Sequence, residues 1–365
     1  MILALAFEFV RYHFLALDFI PNDLNDNGRI VGDIRTHRTI GFDTQPVLLI
    51  DGREVTLGDY AKTGTALSIN NRDHVLIECE AKALQASKRL EFKGVEAGLF
   101  KDKACYFWAN GKATYVGSYY MVHRMYGNDR FLASQFDLPA HPKQEIVAVK
   151  NRHVTRSTVP TVPARGKEFR ANTGFTDMNE RGTLVGYTDF GYSLTHAIAV
   201  EPNGKLIDLS PRVEMHTGWS AGFINSKGDI LGVHYFDSSI GGHSLALWSH
   251  GVLREVSTGF PSALNGEATS FNDHDQIVGV KAIYDSGMEI GRMQKREAMP
   301  PYSAVPTSHA VVWNHDKMVD LNGLTDAPIG CVLERATKIN NKGWIIGTAV
   351  LGQRRVGFLL KPILE

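Results

Sequence analysis

INNKGWIIG, residues 339–347, is the stretch on which the reading of the fold turns. An apolar residue precedes Asn340, Gly343 follows three places later, and a short apolar run ends at Gly347. Asn opening a type I turn can bond its own backbone two residues on. Gly in the fourth place supplies the left-handed conformation that closes a three-residue hairpin loop with a G1 bulge. The apolar flanks then belong to two antiparallel strands.

The pattern recurs along the chain. It reads LNDNGRIVG at 24–32, MNERGTLVG at 178–186 and INSKGDILG at 224–232. FNDHDQIVG at 271–279 has Asp275 for the first Gly. INNRDHVLI at 69–77 has Asp73 there and lacks the last Gly, and MYGNDRFLA at 125–133 has Tyr126 in the Asn position. The Asn positions are therefore 25, 70, 126, 179, 225, 272 and 340, and a small residue commonly sits four places earlier, as in Ala66, Ala221, Ala268 and Ala336.

Each copy is followed by a second apolar stretch, often ending in Trp: ACYFW at 104–108, HAIAV at 196–200, SLALW at 244–248, HAVVW at 309–313. PVLLI at 46–50, EIVAV at 145–149 and VGFLL at 356–360 are weaker counterparts. A turn and a short strand such as LIDL or MVDL come next. Four short strands, a to d, in units of about 50 residues are the signature of a β-propeller blade. The expected fold is all-β, a seven-bladed β-propeller in one domain over residues 1–365. Strands a, b and c occur seven times and d six times, so the apolar N-terminal segment 1–10 is expected to supply the missing d strand and close the ring.

These units resemble the HAF-repeat family, whose repeats read roughly Ile-Asn-x-x-Gly-x-Val-Val-Gly followed by His-Ala-Phe-Leu-Trp. His196-Ala197 and His309-Ala310 with Trp313 match best, the likeness covers nearly all of the chain, and the third unit departs furthest. The resemblance implies a propeller-like fold and frequent export, and no particular reaction.

Composition narrows the function. The 365 residues carry 39 Lys and Arg against 39 Asp and Glu, without the basic excess expected of a non-specific nucleic-acid binder. Three cysteines, none in a Cys-x-x-Cys pair, argue against a disulfide framework or a thiolate zinc site. No stretch reaches the roughly 18 apolar residues of a membrane span. The start, MILALAFEFV, lacks the basic region and clean cleavage site of a signal peptide, so the chain is expected to be intracellular or to have lost a leader. No cofactor and no metal are expected, no nucleic-acid or membrane partner, and a monomer. Asp23 to Gly28 resembles the start of a calcium loop, but Ile34 stands where the bidentate Glu is required. No Gly-x-Ser-x-Gly and no P-loop is present. His196 and His309 read as scaffold, and Trp108, Trp248 and Trp313 as packing between blades.

Function in a propeller usually lives on the loops that a rigid scaffold presents. The off-template residues near the b-to-c and d-to-a connections are the candidates. Arg35, His37, His123, Trp219 and Tyr235 are expected to bind a polar or anionic ligand, carbohydrate-like, with an oligosaccharide or a protein as partner. His234, Tyr187, Lys281 and Arg335 form the candidate catalytic set. Arg35, Lys281 or Arg335 would neutralise a uronate carboxylate, His123 or His234 would take the α-proton, and Tyr187 or Tyr235 would protonate the leaving oxygen. Three readings follow: a non-catalytic binding propeller, a polysaccharide lyase acting by β-elimination, and a hydrolase or cyclase using Glu78, Glu80 or Glu334, for which no acid pair is defined. The long connections 78–103, which reads as a short helix, and 281–308 are locally basic and suit a lid or partner surface.

Overall fold

The computed structural model describes residues 10–37, 42–57, 64–79, 103–119, 121–135, 143–160, 172–189, 195–210, 218–235, 243–256, 267–282, 308–314 and 317–363. They form 28 strands in seven four-stranded antiparallel sheets, the blades of a seven-bladed β-propeller.

The N-terminal strand β1 is Tyr12–Leu17. The first blade is β2 (Ile20–Leu24), β3 (Ile30–His37), β4 (Phe42–Ile50) and β5 (Arg53–Thr56). The second is β6 (Gly64–Ile69), β7 (Val75–Cys79), β8 (Lys103–Ala109) and β9 (Lys112–Tyr119). The third is β10 (Met121–Met125), β11 (Arg130–Gln135), β12 (Lys143–Lys150) and β13 (His153–Thr158). The fourth is β14 (Asn172–Met178), β15 (Leu184–Asp189), β16 (Thr195–Val200) and β17 (Leu206–Asp208). The fifth is β18 (Gly218–Ile224), β19 (Ile230–Tyr235), β20 (His243–Ser249) and β21 (Val252–Val256). The sixth is β22 (Glu267–Phe271), β23 (Ile277–Ala282), β24 (Ser308–Asn314) and β25 (Lys317–Asp320). The seventh is β26 (Cys331–Ile339), β27 (Ile345–Leu351) and β28 (Arg354–Pro362), completed by β1. Two compact units result: Asn22–Val256 holds blades one to five, and Ser257–Glu365 with β1 holds the sixth and seventh.

The closing strand is thus β1, not residues 1–10. Tyr12 pairs with Pro362 and Leu17 with Gly357. Tyr12 and Phe14 turn inward, 2% and 8% exposed, onto a core that includes Phe358 and Leu360. Residues 1–9 lie outside the described residues, as does the helix expected near 80–100. The helical segment among the described residues is a single 3-10 turn at Leu321–Leu324, capped by the Asp320 side chain.

All seven Asn-type turns close alike. The amide of the fourth residue donates to the carbonyl of the first, and the first amide donates to the fifth carbonyl, as in Gly28 to Asn25 and Asn25 to Arg29. The fourth residue is left-handed in every copy, Gly or Asp alike: φ is 82° at Gly28 and 61° at Asp73. The Asn side chain does more than the sequence suggests. Its Oδ1 accepts from the amide four residues on, 2.9 Å at both Asn25 and Asn340, while in several copies its Nδ2 reaches the neighbouring blade. Asn25 Nδ2 donates to the Asn70 carbonyl, Asn70 Nδ2 to the Tyr126 carbonyl, and Asn272 Nδ2 to the Asn340 carbonyl.

Two further straps repeat. Two places before the Asn, Asp23, Ser68 and Asp177 accept from the backbone amides of Ile69, Met125 and Ile224 in the next blade. Three places before it, Asn22 and Thr176 in one unit donate to the carbonyls of Ala66 and Ala221, and Thr269 in the other donates to that of Ala336. Strand a bulges at this point in several blades, with register shifts between Ala66 and Ser68, Phe175 and Asp177, and Ala268 and Ser270. A bulge bends the strand and re-aims one side chain, here toward the neighbouring blade. The Gly that ends the motif permits that bend. A Cβ on Gly186 would lie 2.0 Å from the Gly174 carbonyl oxygen of the bulged strand.

The His-Ala motif also gains a partner. His196 Nδ1 lies 3.0 Å from Asp208, and His309 Nδ1 binds Asp320, so the His opening strand c holds the Asp of strand d in its own blade. Trp248 packs with Val185, Ala197 and Ala199 of the fourth blade, and its indole N–H donates to the Leu209 carbonyl at 2.7 Å.

Candidate functional site

The proposed catalytic residues divide between the two units, Tyr187 and His234 in one, Lys281 and Arg335 in the other. In Asn22–Val256, Tyr187 stands on β15 opposite Gly174 and Ala197. Its ring lies over Gly174, where the missing Cβ leaves room. Tyr235 ends β19, is 47% exposed, and its ring sits 6.5 Å from that of His243. Partial burial, and then the neighbouring Tyr187, raise the Tyr235 phenol above its ordinary pKa.

His234 precedes Tyr235 and points to the other side of the sheet. Its ring stacks on Trp219 with centroids 3.8 Å apart and planes 6° from parallel, and its Nδ1 lies 2.9 Å from Glu255 on β21. Trp219 is 4% exposed and meets Trp248 edge-on at 5.6 Å. This pair belongs to the packing between the fourth and fifth blades and not to the loop face expected from the sequence.

His123 occupies the strapping place three before Tyr126. Burial lowers its pKa, partly offset by a hydrogen bond to the Thr176 backbone in the next blade. Arg35 is exposed on β3, and His37 ends that strand opposite Phe42. Two places before Arg35 lies Asp33, which sequence reasoning missed. It is 9% exposed and accepts from the Asn22 side chain and the Ala66 amide, each at 3.2 Å. Burial raises its pKa to about 6, opposed by those two hydrogen bonds and by the Arg35 charge. A lone acid inside an apolar strand was the available signal.

In the other unit, Lys281 on β23 stands opposite His309 on β24. Arg335 on β26 has its guanidinium 3.8 Å from Glu267 on β22. Glu334 is 4% exposed and held by Arg355 at 2.7 and 3.1 Å, leaving it a buried ion-pair partner. Among the described residues, no group of three or more His, Cys, Asp or Glu side chains could hold a metal. The connections 80–102 and 283–307 lie outside the described residues.

No family model matches the chain, and no curated protein does. Among solved structures it is similar to the β-propeller domain of the Trilobed protease from Pyrococcus furiosus. The TM-score is 0.57 at 8% identity, over 97% of this chain and 98% of that one. That domain is described as having an open velcro topology; here β1 pairs with β28. The chain is also similar to a prolyl endopeptidase, with TM-score 0.52 and 9% identity over 98% of this chain and 51% of that one. These likenesses show the fold alone.

Proposed function

We propose that the chain is a binding propeller that takes a polar or anionic, carbohydrate-like ligand at the loop-bearing ends of its b strands. The observation that carries this is Tyr235, a half-exposed phenol at the end of β19 whose ring lies 6.5 Å from that of His243. Aromatic faces with polar tips suit the flat side of a sugar ring and its hydroxyls. Binding is favoured over elimination because both candidate bases are engaged in the scaffold, His234 stacked on Trp219 and paired with Glu255, and His123 largely buried and bonded to the Thr176 backbone. Elimination needs a base within reach of the α-proton.

Calorimetry with uronate-containing oligosaccharides, run beside ultraviolet detection of unsaturated uronates, tests the proposal. Binding without new absorbance is expected, with Tyr235→Ala about tenfold weaker at an unchanged Tm. Unsaturated product would establish the lyase reading instead. Equal binding by parent and Tyr235→Ala would remove Tyr235 from the site.

A further inference from the structure

A second surface goes beyond that reading, at the opposite end of the strands, where the a-to-b and c-to-d turns lie. Between the second and third blades is a cleft of ≈ 970 Å³. Its rim is cationic. Arg72 and His74 come from the Asn70 turn, Lys112 from the next turn of the same blade, and Lys150, Arg152 and His153 from the third blade. The acid in the lining is Asp129, 7% exposed and already bound by Arg72 at 3.1 Å, His74 at 2.7 Å and Asn70 at 2.7 Å. Among the described residues, Lys112, Lys150 and His153 have no acidic partner. In a chain of zero formal charge this is a local concentration of cations, of the kind that raises anion concentration in a cleft.

Arg152 adds an independent observation. It takes φ 65°, in a turn place that Gly52, Gly111 and Gly251 fill in other blades. A long side chain in the left-handed region is strained, and such strain concentrates at ligand sites. The turn carries the Arg152 guanidinium across to the second blade, its Nε 3.4 Å from Thr114 Oγ1. Phe107, Ala109, Ala148 and Val149 contribute apolar lining. Asn128, also in the lining, has a buried Oδ1 without a donor among the described residues.

We propose that this cleft binds a small polyol bearing several phosphate or sulfate groups. The anionic groups would pair with the cationic rim, and the carbon frame would rest on the apolar lining. The volume is within the range of small-molecule sites.

Titration with myo-inositol hexakisphosphate, sucrose octasulfate and inorganic tripolyphosphate tests this and separates phosphate from sulfate. One of the two polyols should bind more tightly than tripolyphosphate, with affinity falling as salt rises from about 50 to 200 mM. Lys112→Glu combined with Lys150→Glu should weaken that binding at least tenfold. Lys227→Glu, an exposed charge in the fifth blade, should leave it unchanged. Arg152→Gly should weaken binding while Tm holds or rises, because strain is relieved. Failure of both polyols to bind, equal loss in Lys227→Glu, or parent-like binding by Arg152→Gly would each overturn the proposal. Tripolyphosphate binding as tightly as either polyol would overturn the role given to the carbon frame.

Discussion

The Nδ2 of Asn25 donates to the main-chain carbonyl of Asn70, 2.9 Å away in the next blade, and to the Asp73 carboxylate at 2.8 Å. One side chain thus closes its own hairpin and ties it to the neighbouring hairpin.

Replacing that donor is therefore costly in a graded way. Asn25→Ala should lose about 1–3 kcal/mol, the cost of leaving buried partners unsatisfied. Asn25→Asp places a carboxylate against a carbonyl and the Asp73 carboxylate, and should lose more, about 2–4 kcal/mol. Denaturant melts of the two variants give the order, and a milder effect for Asp than for Ala would contradict the strap.

Gly228 isolates the backbone contribution to the turn. Its φ is 99°, and no atom lies within 4 Å of where a Cβ would stand. Gly228→Val should cost about 1–3 kcal/mol. Gly228→Asp should cost less, since Asp73, Asp129 and Asp275 hold φ near 60° in sister turns. Thermal melts of the pair should differ; coincident melts would reject the left-handed assignment.

The closing strand can be tested through its inward face. Phe14 lies against Phe358, ring centroids 6.5 Å apart. Phe14→Ala should cost about 3 kcal/mol. A chain starting after Leu17 leaves β28 with a bare edge and should aggregate on expression. Soluble truncated protein that melts with the parent would show that β1 contributes nothing.

Asp33 gives the molecule a signed pH dependence. Its folded pKa of about 6 exceeds the unfolded carboxylate value near 3.9, so the native state binds the extra proton. That contribution is complete below about pH 4 and is lost as pH rises through 6, on the order of 1–3 kcal/mol. Asp33→Asn should gain in Tm relative to the parent as pH goes from about 4 to 7. A constant difference across that range would show that Asp33 titrates normally.

The repeat made the seven blades readable because a hairpin turn is local: Asn, two residues and Gly specify it before any long-range contact forms. The straps were not readable, because they depend on a bulge three places before the Asn that only pairing reveals. The closing strand was misplaced by a few residues, since 1–10 and Tyr12–Leu17 both alternate apolar residues, and only the pairing of Tyr12 and Phe14 with β28 distinguishes them. Trp219 and His234 were read as loop-face groups because they depart from the repeat. Their register, directly opposite each other on β18 and β19, makes them a stacked pair instead. Tyr187 and Tyr235 were legible as candidates, because both depart from the repeat beside a b-to-c connection.

The pairing of β1 with β28 also has a mechanical meaning. The strands run antiparallel, with the Ile363 amide bound to the Arg11 carbonyl at 2.8 Å, so the chain enters and leaves this sheet at the same end. Tension drawing those two ends apart falls first on that single bond, then on the Tyr12–Pro362 pair, and so along the strand. The clasp peels under load one rung at a time rather than sharing the force across its rungs in shear. A modest pull at the termini would therefore open the seventh blade first.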